Sequence, residues 1–399
     1  MKWRKKVKNQ QLSIGERWKS DTEYYEKHGN MLSIPICKSC IHNNYDIDVY
    51  HCEKYVEEKK PVDVYLCRKG CIHFKSKFPI NIEVKNEYQS KLYGGIWGFI
   101  LGDAMGVPVE FTKRAEREND PVKEMRAYGT HHQHFGAWSD DTSLMLCLIQ
   151  NLTEEYSLKE LATLFVRYLD ESYLTPMNEV FDIGISTRKA IEKFKLGIPP
   201  ELCGGKSEYD NGNGSLMRIL PLVFYLKDAG PIELIKMIKE VSSLTHQHKR
   251  SVLGCIIYIE YAIQLLEGKN KNEAYCEMIN FIKCHCENDY GEEFHYFKRI
   301  LTNDLLKLEN KDIKSSGYIV DTLEAVLWSF MITDDYTQAL LTAINLGDDT
   351  DTIGALAGGI AGIYYGYESI PENWLQYLLK KEEIMIMIQK FEEALSDDM

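Results

Sequence analysis

Asp348-Asp349-Thr350-Asp351-Thr352-Ile353-Gly354-Ala355-Leu356-Ala357-Gly358-Gly359-Ile360-Ala361-Gly362 is the stretch that decides the fold. Five acidic or hydroxylic residues lead straight into a helix-like run made only of apolar residues and glycine. Glycine costs roughly 1 kcal/mol relative to alanine inside a helix, so this much of it implies a helix squeezed against a neighbour at the centre of a domain. Gly94-Gly95-Ile96-Trp97-Gly98-Phe99-Ile100-Leu101-Gly102 has the same character. Rigid central helices of this kind can hold the residues of their first turns in fixed geometry.

Outward from these two segments, residues 157–168, 180–194, 232–244, 251–266 and 337–344 carry apolar side chains at spacings of three and four, which line one helical face. No alternating strand pattern competes with them. The expected fold class is all-α, a compact helical domain over residues 90–399.

The acid before the glycine run has a counterpart in Ser139-Asp140-Asp141-Thr142, which also precedes an apolar run. An Asp at a helix start ordinarily accepts a bond from an unsatisfied backbone N–H, but one cap needs one carboxylate. Clusters of two and three carboxylates exceed that need. Hard oxygen donors from Asp, Ser and Thr suit Mg²⁺ or Mn²⁺, whereas softer ions prefer His or Cys, which these clusters lack. The fifth and twelfth positions of an EF-hand loop would fall on Ile353 and Ile360, so the second cluster is not of that type.

Composition narrows the function classes. The chain has 399 residues, 44% of them hydrophobic, enough for a large core and a smaller appended module. A net charge of −13 argues against general phosphate-backbone affinity, although Lys2, Arg4, Lys5 and Lys6 make a local basic start. No apolar h-region follows that start, so a secretory signal is not expected. The most apolar run, residues 92–111, is interrupted by Asp103 and Glu110, and no membrane span is expected. The eleven cysteines are an odd number, and the six beyond residue 140 show no framework spacing. A cytoplasmic protein is the expectation.

The other five cysteines, Cys37, Cys40, Cys52, Cys67 and Cys71, mark a separate module over residues 1–85, interleaved with His42, His51 and His73. A Cys-x2-Cys pair completed by a later pair can close a tetrahedral Zn²⁺ site and staple a segment too short for its own core. An iron–sulfur cluster or plain free thiols are the alternatives. Residues 75–91 lack sustained apolar periodicity and place the boundary.

A third feature is Asp210-Asn211-Gly212-Asn213-Gly214-Ser215-Leu216-Met217-Arg218. Glycines ahead of a helix expose backbone N–H groups that attract an anion such as a diphosphate. The segment has neither a third glycine nor a Gly-Lys-Ser/Thr, so it is no dinucleotide fingerprint and no P-loop. Taken alone it reads as ordinary turn chemistry.

The order of these segments changes that reading. Gly102-Asp103-Ala104-Met105-Gly106 with Glu110, then Trp138 to Thr142, Gly212 to Arg218, Thr245-His246, Gly347 to Thr352, Tyr364-Tyr365-Gly366 and Ile370-Pro371-Glu372-Asn373-Trp374 together resemble the ADP-ribosylglycohydrolase family. The likeness runs from about residue 90 to the C-terminus and leaves the cysteine module uncovered. It implies an all-α domain with a dinuclear Mg²⁺ or Mn²⁺ site that removes ADP-ribose from a modified protein side chain or a related conjugate. Carried over by position, the implied metal ligands are Ser139, Asp140, Asp141, Asp349, Asp351 and Thr352. Glu110 is the implied acid–base group, with Asp140 and Asp351 as further catalytic carboxylates. Gly212, Asn213, Gly214, Ser215 and His246 are the implied ADP-ribose contacts, His246 being open also to a plain packing role. Asp348 departs from the family's usual Gly and adds charge beside a ligand. Arg218 reads as structural. The alternative function is a non-catalytic ADP-ribose-binding module directed to its partner by the cysteine segment.

Overall fold

A computed structural model describes residues 82–397 continuously, together with 40–42, 52–55, 61, 64, 70–77 and 79. The chain falls into two compact units, Met1–Pro79 and Ile80–Met399. In the first, Cys40 pairs in a short antiparallel bridge with Ser76, and the Glu53 N–H donates to the His42 carbonyl at 3.0 Å. The Cys71 sulfur lies 3.7 Å from the Tyr55 hydroxyl, while Cys37 and Cys67, and with them any full count of zinc ligands, lie outside the described residues.

The second unit is all-α, with no strands among the described residues. Its longer helices are α1 Glu87–Gly106, α2 Asp140–Thr153, α3 Leu158–Glu171, α4 Ile185–Lys195, α5 Pro231–Ser243, α6 Lys249–Leu266, α7 Lys271–His285, α8 Ile319–Met331, α9 Tyr336–Ile344, α10 Thr350–Tyr365 and α11 Lys381–Asp397. The two glycine-rich helices, α1 and α10, form the central pair. A Cβ added at Gly94, Gly98, Gly102 or Gly106 would stand 2.3, 2.4, 2.0 and 2.3 Å from the carbonyl oxygens of Gly362, Gly358, Gly354 and Thr350. Residue numbers rise by four along one helix as they fall by four along the other, so the pair is antiparallel with the two backbones touching. Close packing of this kind replaces side-chain volume with backbone-on-backbone dispersion over the whole length.

That register has a functional consequence: it sets the C-terminal end of α1 beside the first turn of α10. Thr350 seals the junction by donating its hydroxyl to the Gly106 carbonyl at 2.8 Å. Around the pair, α6, α8 and α9 pack on α10, and α11 lies against α2. By length and composition, Glu87–Val109 is apolar enough to cross a membrane, contrary to the expectation that no such run exists; the whole window is buried inside the fold as a core helix. The expected helix over 180–194 also shortens. It begins only at Ile185, because Gly184 is extended (φ −61°, ψ 143°) and the Asp182 carbonyl accepts the Tyr168 hydroxyl at 2.7 Å.

Candidate active site

Capping accounts for fewer carboxylates than the helix starts contain. At α2, Ser139 is the N-cap and accepts from the Asp141 N–H at 3.2 Å. Asp103 of α1, fully buried, takes the remaining donors: the Ser139 N–H at 2.9 Å, the Thr142 N–H at 3.0 Å and the Thr142 hydroxyl at 2.6 Å. Asp140 and Asp141 are therefore released from capping. Asp140 meets only the Gly184 N–H, at 3.4 Å, and Asp141 Oδ2 is buried without a hydrogen-bond partner.

At α10, Asp349 occupies the N-cap position but does not cap. It accepts instead from Asn213 Nδ2 at 2.7 Å, while Asp351 accepts the Thr352 N–H at 2.9 Å. Carboxylate oxygens of Glu110, Asp349 and Asp351 converge within 4.8 Å of one another, as do ligand atoms of Glu110, His131 and Asp182. Asp348 turns the other way, into an ion pair with Lys113 at 2.8 Å, so the extra acid adds no ligand to the cluster.

Burial and mutual repulsion raise the carboxylates of this cluster together. Burial, then Asp182, Asp103 and Glu110, hold Asp140 well above the ordinary Asp range. Burial together with Asp103, Asp140 and Asp349 does the same to Asp141; burial with Glu110, Asp141 and Asp349 does it to Asp351. Burial raises Asp349 as well, and lifts Asp103 to about 6 and Glu110 to about 7. Removing this many carboxylates from water is costly unless cations compensate them. The orphaned Asp141 oxygen and the oxygen-only donor set fit divalent cations of the Mg²⁺ or Mn²⁺ type.

The glycine turn lies beside the acids but differs from its expectation in three ways. It runs into a three-residue 3-10 helix, Leu216–Arg218, so the helix-terminus charge expected there is minor. Asn213 acts on Asp349 and Thr322, its own N–H bonded to the Gly317 carbonyl at 3.0 Å. The Ser215 hydroxyl faces the core, toward Ser242 at 3.0 Å and Cys255 at 3.5 Å. What remains for an anion is backbone: the Gly214 and Ser215 N–H groups have no carbonyl partner among the described residues. His246 is buried beneath the turn, its ring 3.7 Å from a Cβ built on Gly212, and burial followed by Arg218 pushes it down to about 3. Arg218 is structural as expected; it donates to the Gly214 carbonyl and to Thr245 Oγ1 at 2.8 Å.

Residues 84–398 match the model of the family described as ADP-ribosylglycohydrolase. The chain belongs to that family. It is 30% identical over 303 residues to the ADP-ribosylarginine hydrolase Tri1 of Pseudomonas putida (strain GB-1), covering 74% of this chain and 76% of that protein. It is also 30% identical to the ADP-ribosyl-(dinitrogen reductase) glycohydrolase of Rhodospirillum rubrum, over 73% of this chain and 90% of that one. Among solved structures, an ADP-ribosylglycohydrolase-related protein complex superposes with a TM-score of 0.66 at 27% identity, covering 77% of this chain and 99% of the other. With family membership comes the enzyme class, an ADP-ribosylglycohydrolase.

Three residues at this glycohydrolase centre were not singled out as site residues from sequence: Asp103, His131 and Asp182. Asp103 had a signal, since it is an acid inside the most apolar run of the chain, within Gly102-Asp103-Ala104-Met105-Gly106. His131 and Asp182 sit in loops, His131 with no periodicity to mark it and Asp182 inside the apolar pattern over 180–194 that read as helix. A separate acid–histidine group, Glu208, His248 and Glu293, is already closed by Arg250, which reaches the two carboxylates at 2.9 and 2.8 Å.

Proposed function

We propose that this glycohydrolase cleaves ADP-ribose from arginine side chains of proteins, with two Mg²⁺ or Mn²⁺ ions as cofactor. The observation that carries the reading is the convergence of Glu110, Asp349 and Asp351 within 4.8 Å, beside Asp140 and Asp141. Ser139, Asp140, Asp141, Asp349, Asp351 and Thr352 would hold the ions. Bound there, divalent cations supply Lewis-acid charge that orients ribose hydroxyls and acidifies a water. The arginine acceptor is supported by the names of the relatives at 30% identity and by the site's lining. Asp182, Phe111 and Phe181 surround His131 at the Glu110 end, and carboxylate with aromatic faces is a lining that suits a guanidinium.

Cleavage breaks the bond between the ribose anomeric carbon and a guanidino nitrogen, through an oxocarbenium-like transition state. Water adds its hydroxyl to the carbon and its remaining proton goes to the nitrogen. Glu110, buried and within 4.8 Å of Asp349 and Asp351, is the carboxyl group positioned to move that proton. The diphosphate is assigned to the turn at Gly212, the half-buried residue beside the buried Gly214 and Ser215, whose N–H groups have no carbonyl partner among the described residues.

A panel of ADP-ribosylated arginine, ADP-ribosylated serine and O-acetyl-ADP-ribose, assayed with Mg²⁺, with Mn²⁺ and with chelator, tests the reading. Release from the arginine substrate with metal and none with chelator is expected. Equal release in chelator, on protein shown to be metal-free, removes the metals. Glu110→Gln is expected to lower turnover by roughly 10² to 10⁴ with a much smaller loss of ADP-ribose affinity, and near wild-type turnover removes its proton-transfer role.

A further inference from the structure

The loop over residues 128–133 is strapped to the segment that carries Glu110. The Thr130 N–H donates to the Pro108 carbonyl at 3.1 Å, and the Thr130 hydroxyl to the Glu110 carbonyl at 2.6 Å. His131 Nε2 contacts Glu110 Oε2 directly, and the two side chains are only 12% and 6% exposed. The loop closes on itself through the Tyr128 N–H and the Gln133 carbonyl, 2.6 Å apart.

Holding this shape is costly for the backbone. Tyr128 (φ 66°) and His132 (φ 57°) are non-glycine residues in the left-handed region, flanking Gly129 (φ 47°). A Cβ on Gly129 would lie 1.6 Å from the Pro108 oxygen. Local strain of this kind persists only where surrounding contacts over-determine it, and it gathers at functional sites. The His131 ring makes tilted contacts with Phe111 at 5.9 Å and Phe181 at 5.3 Å between centroids. Phe111 is itself left-handed (φ 60°), and its N–H donates to the Asp348 carbonyl at 2.6 Å, next to the α10 cluster.

We propose that His131 is a positioning residue: the strapped 128–133 loop presents its Nε2 to Glu110 and holds that carboxylate aimed at the reacting bond. The proposal rests on the hydrolase reading above. Glu110 belongs to two groups of converging ligand atoms, one with Asp349 and Asp351 and one with His131 and Asp182. Without His131, repulsion from those acids leaves its carboxylate free to swing, and misplacement by about 1 Å costs up to roughly a hundredfold in rate.

The test measures kcat and KM on the substrate the panel identifies. His131→Ala is expected to lower kcat roughly tenfold to a hundredfold with KM within about twofold. His131→Gln, whose amide nitrogen reaches about as far as Nε2, is expected to recover most of the loss. Gly129→Ala, which keeps His131 but displaces the loop, is expected to follow His131→Ala, with melting curves showing both variants folded. Unchanged kcat in His131→Ala, or a His131→Gln as impaired as the alanine variant, overturns the proposal. If wild-type enzyme cleaves no substrate in the panel, the hydrolase reading fails separately. Crystal structures of wild type and His131→Ala then decide: a displaced Glu110 carboxylate supports the positioning role, and an unmoved one overturns it.

Discussion

Gly106→Ala is the sharpest test of how the fold builds the site. The new Cβ would stand 2.3 Å from the Thr350 oxygen and 2.4 Å from both backbone N and α-carbon of Asp351, where ordinary contact begins at 3.4 Å. Relief therefore needs a shift of 3.4 − 2.3 = 1.1 Å in backbone that carries a candidate ligand. Gly106 is already αR (φ −79°, ψ −39°), so the substitution acts through crowding and not through conformational preference. Gly98→Ala meets the Gly358 oxygen at 2.4 Å but nothing else nearer than 3.2 Å, a narrower clash two turns further from the acids. Overpacking of this size costs roughly 1–3 kcal/mol, or a fall in Tm of roughly 1.5–4.5 °C for a unit of this length. Both variants should lose stability within that range, Gly106→Ala the more. Only Gly106→Ala should also lose turnover, by up to about 10² when measured below both transitions, since about 1 Å of misplacement suffices for that. Gly230→Ala, with nothing within 4 Å of the added atom, is the control and should change neither. Melting curves and kcat/KM on the three variants decide the matter. Equal turnover in Gly106→Ala and Gly98→Ala would refute the idea that the packing of α1 on α10 sets the position of Asp351.

Asp351→Ala should lose the metal-dependent stabilisation, which for wild type at a hundredfold excess over Kd is about 2.7 kcal/mol and is read as a rise in Tm. Its Tm in chelator should be undiminished, because Glu110, Asp141 and Asp349 no longer repel it; undiminished metal affinity by calorimetry would remove the second acidic cluster from the centre. Glu260, 4% exposed on α6, is raised by burial from 4.5 to about 7. The unfolded chain releases this proton first as pH rises, so the group's stabilising contribution is whole below pH 4.5 and lost by about pH 7, a swing of about 3 kcal/mol. Glu260→Gln should flatten that part of the stability–pH curve in denaturant titrations, and an unchanged curve would show that Glu260 ionises freely. The full chain should retain zinc after Mg²⁺ is stripped, because thiolates and carboxylates select different ions; elemental analysis finding iron with visible absorbance, or no metal, would put a cluster or free thiols at the five N-terminal cysteines.

Some of this site was legible in the amino-acid sequence, and the division has a physical cause. Asp140, Asp141, Asp349 and Asp351 stand in the first turns of helices whose apolar runs are unmistakable, so sequence position alone told where they lie in space relative to a helix axis. Their excess over the needs of capping was also countable, and the structure shows why: Ser139 and Asp103 do the capping at α2, and nothing is capped by Asp349. The glycine spacing likewise announced a close helix pair, since residues four apart share a face. His131 and Asp182 had no such frame. Each is placed by a loop whose shape depends on contacts from distant segments, Pro108 for one and Tyr168 for the other. The 180–194 pattern misled for the same reason: apolar spacing continued through residues that tertiary contacts hold extended, which is how Asp182 reaches the acids at all. The turn at Gly212 read from sequence as backbone offered to an anion, with Asn213, Ser215 and His246 as further contacts and Arg218 as structural; in the structure all four side chains bond or pack within the protein, and the buried Gly214 and Ser215 N–H groups have no carbonyl partner among the described residues. A composition of small and polar residues identifies where backbone is offered to a ligand, and it is the packing behind that backbone, here a neutral histidine and a buried arginine, that makes the offer rigid.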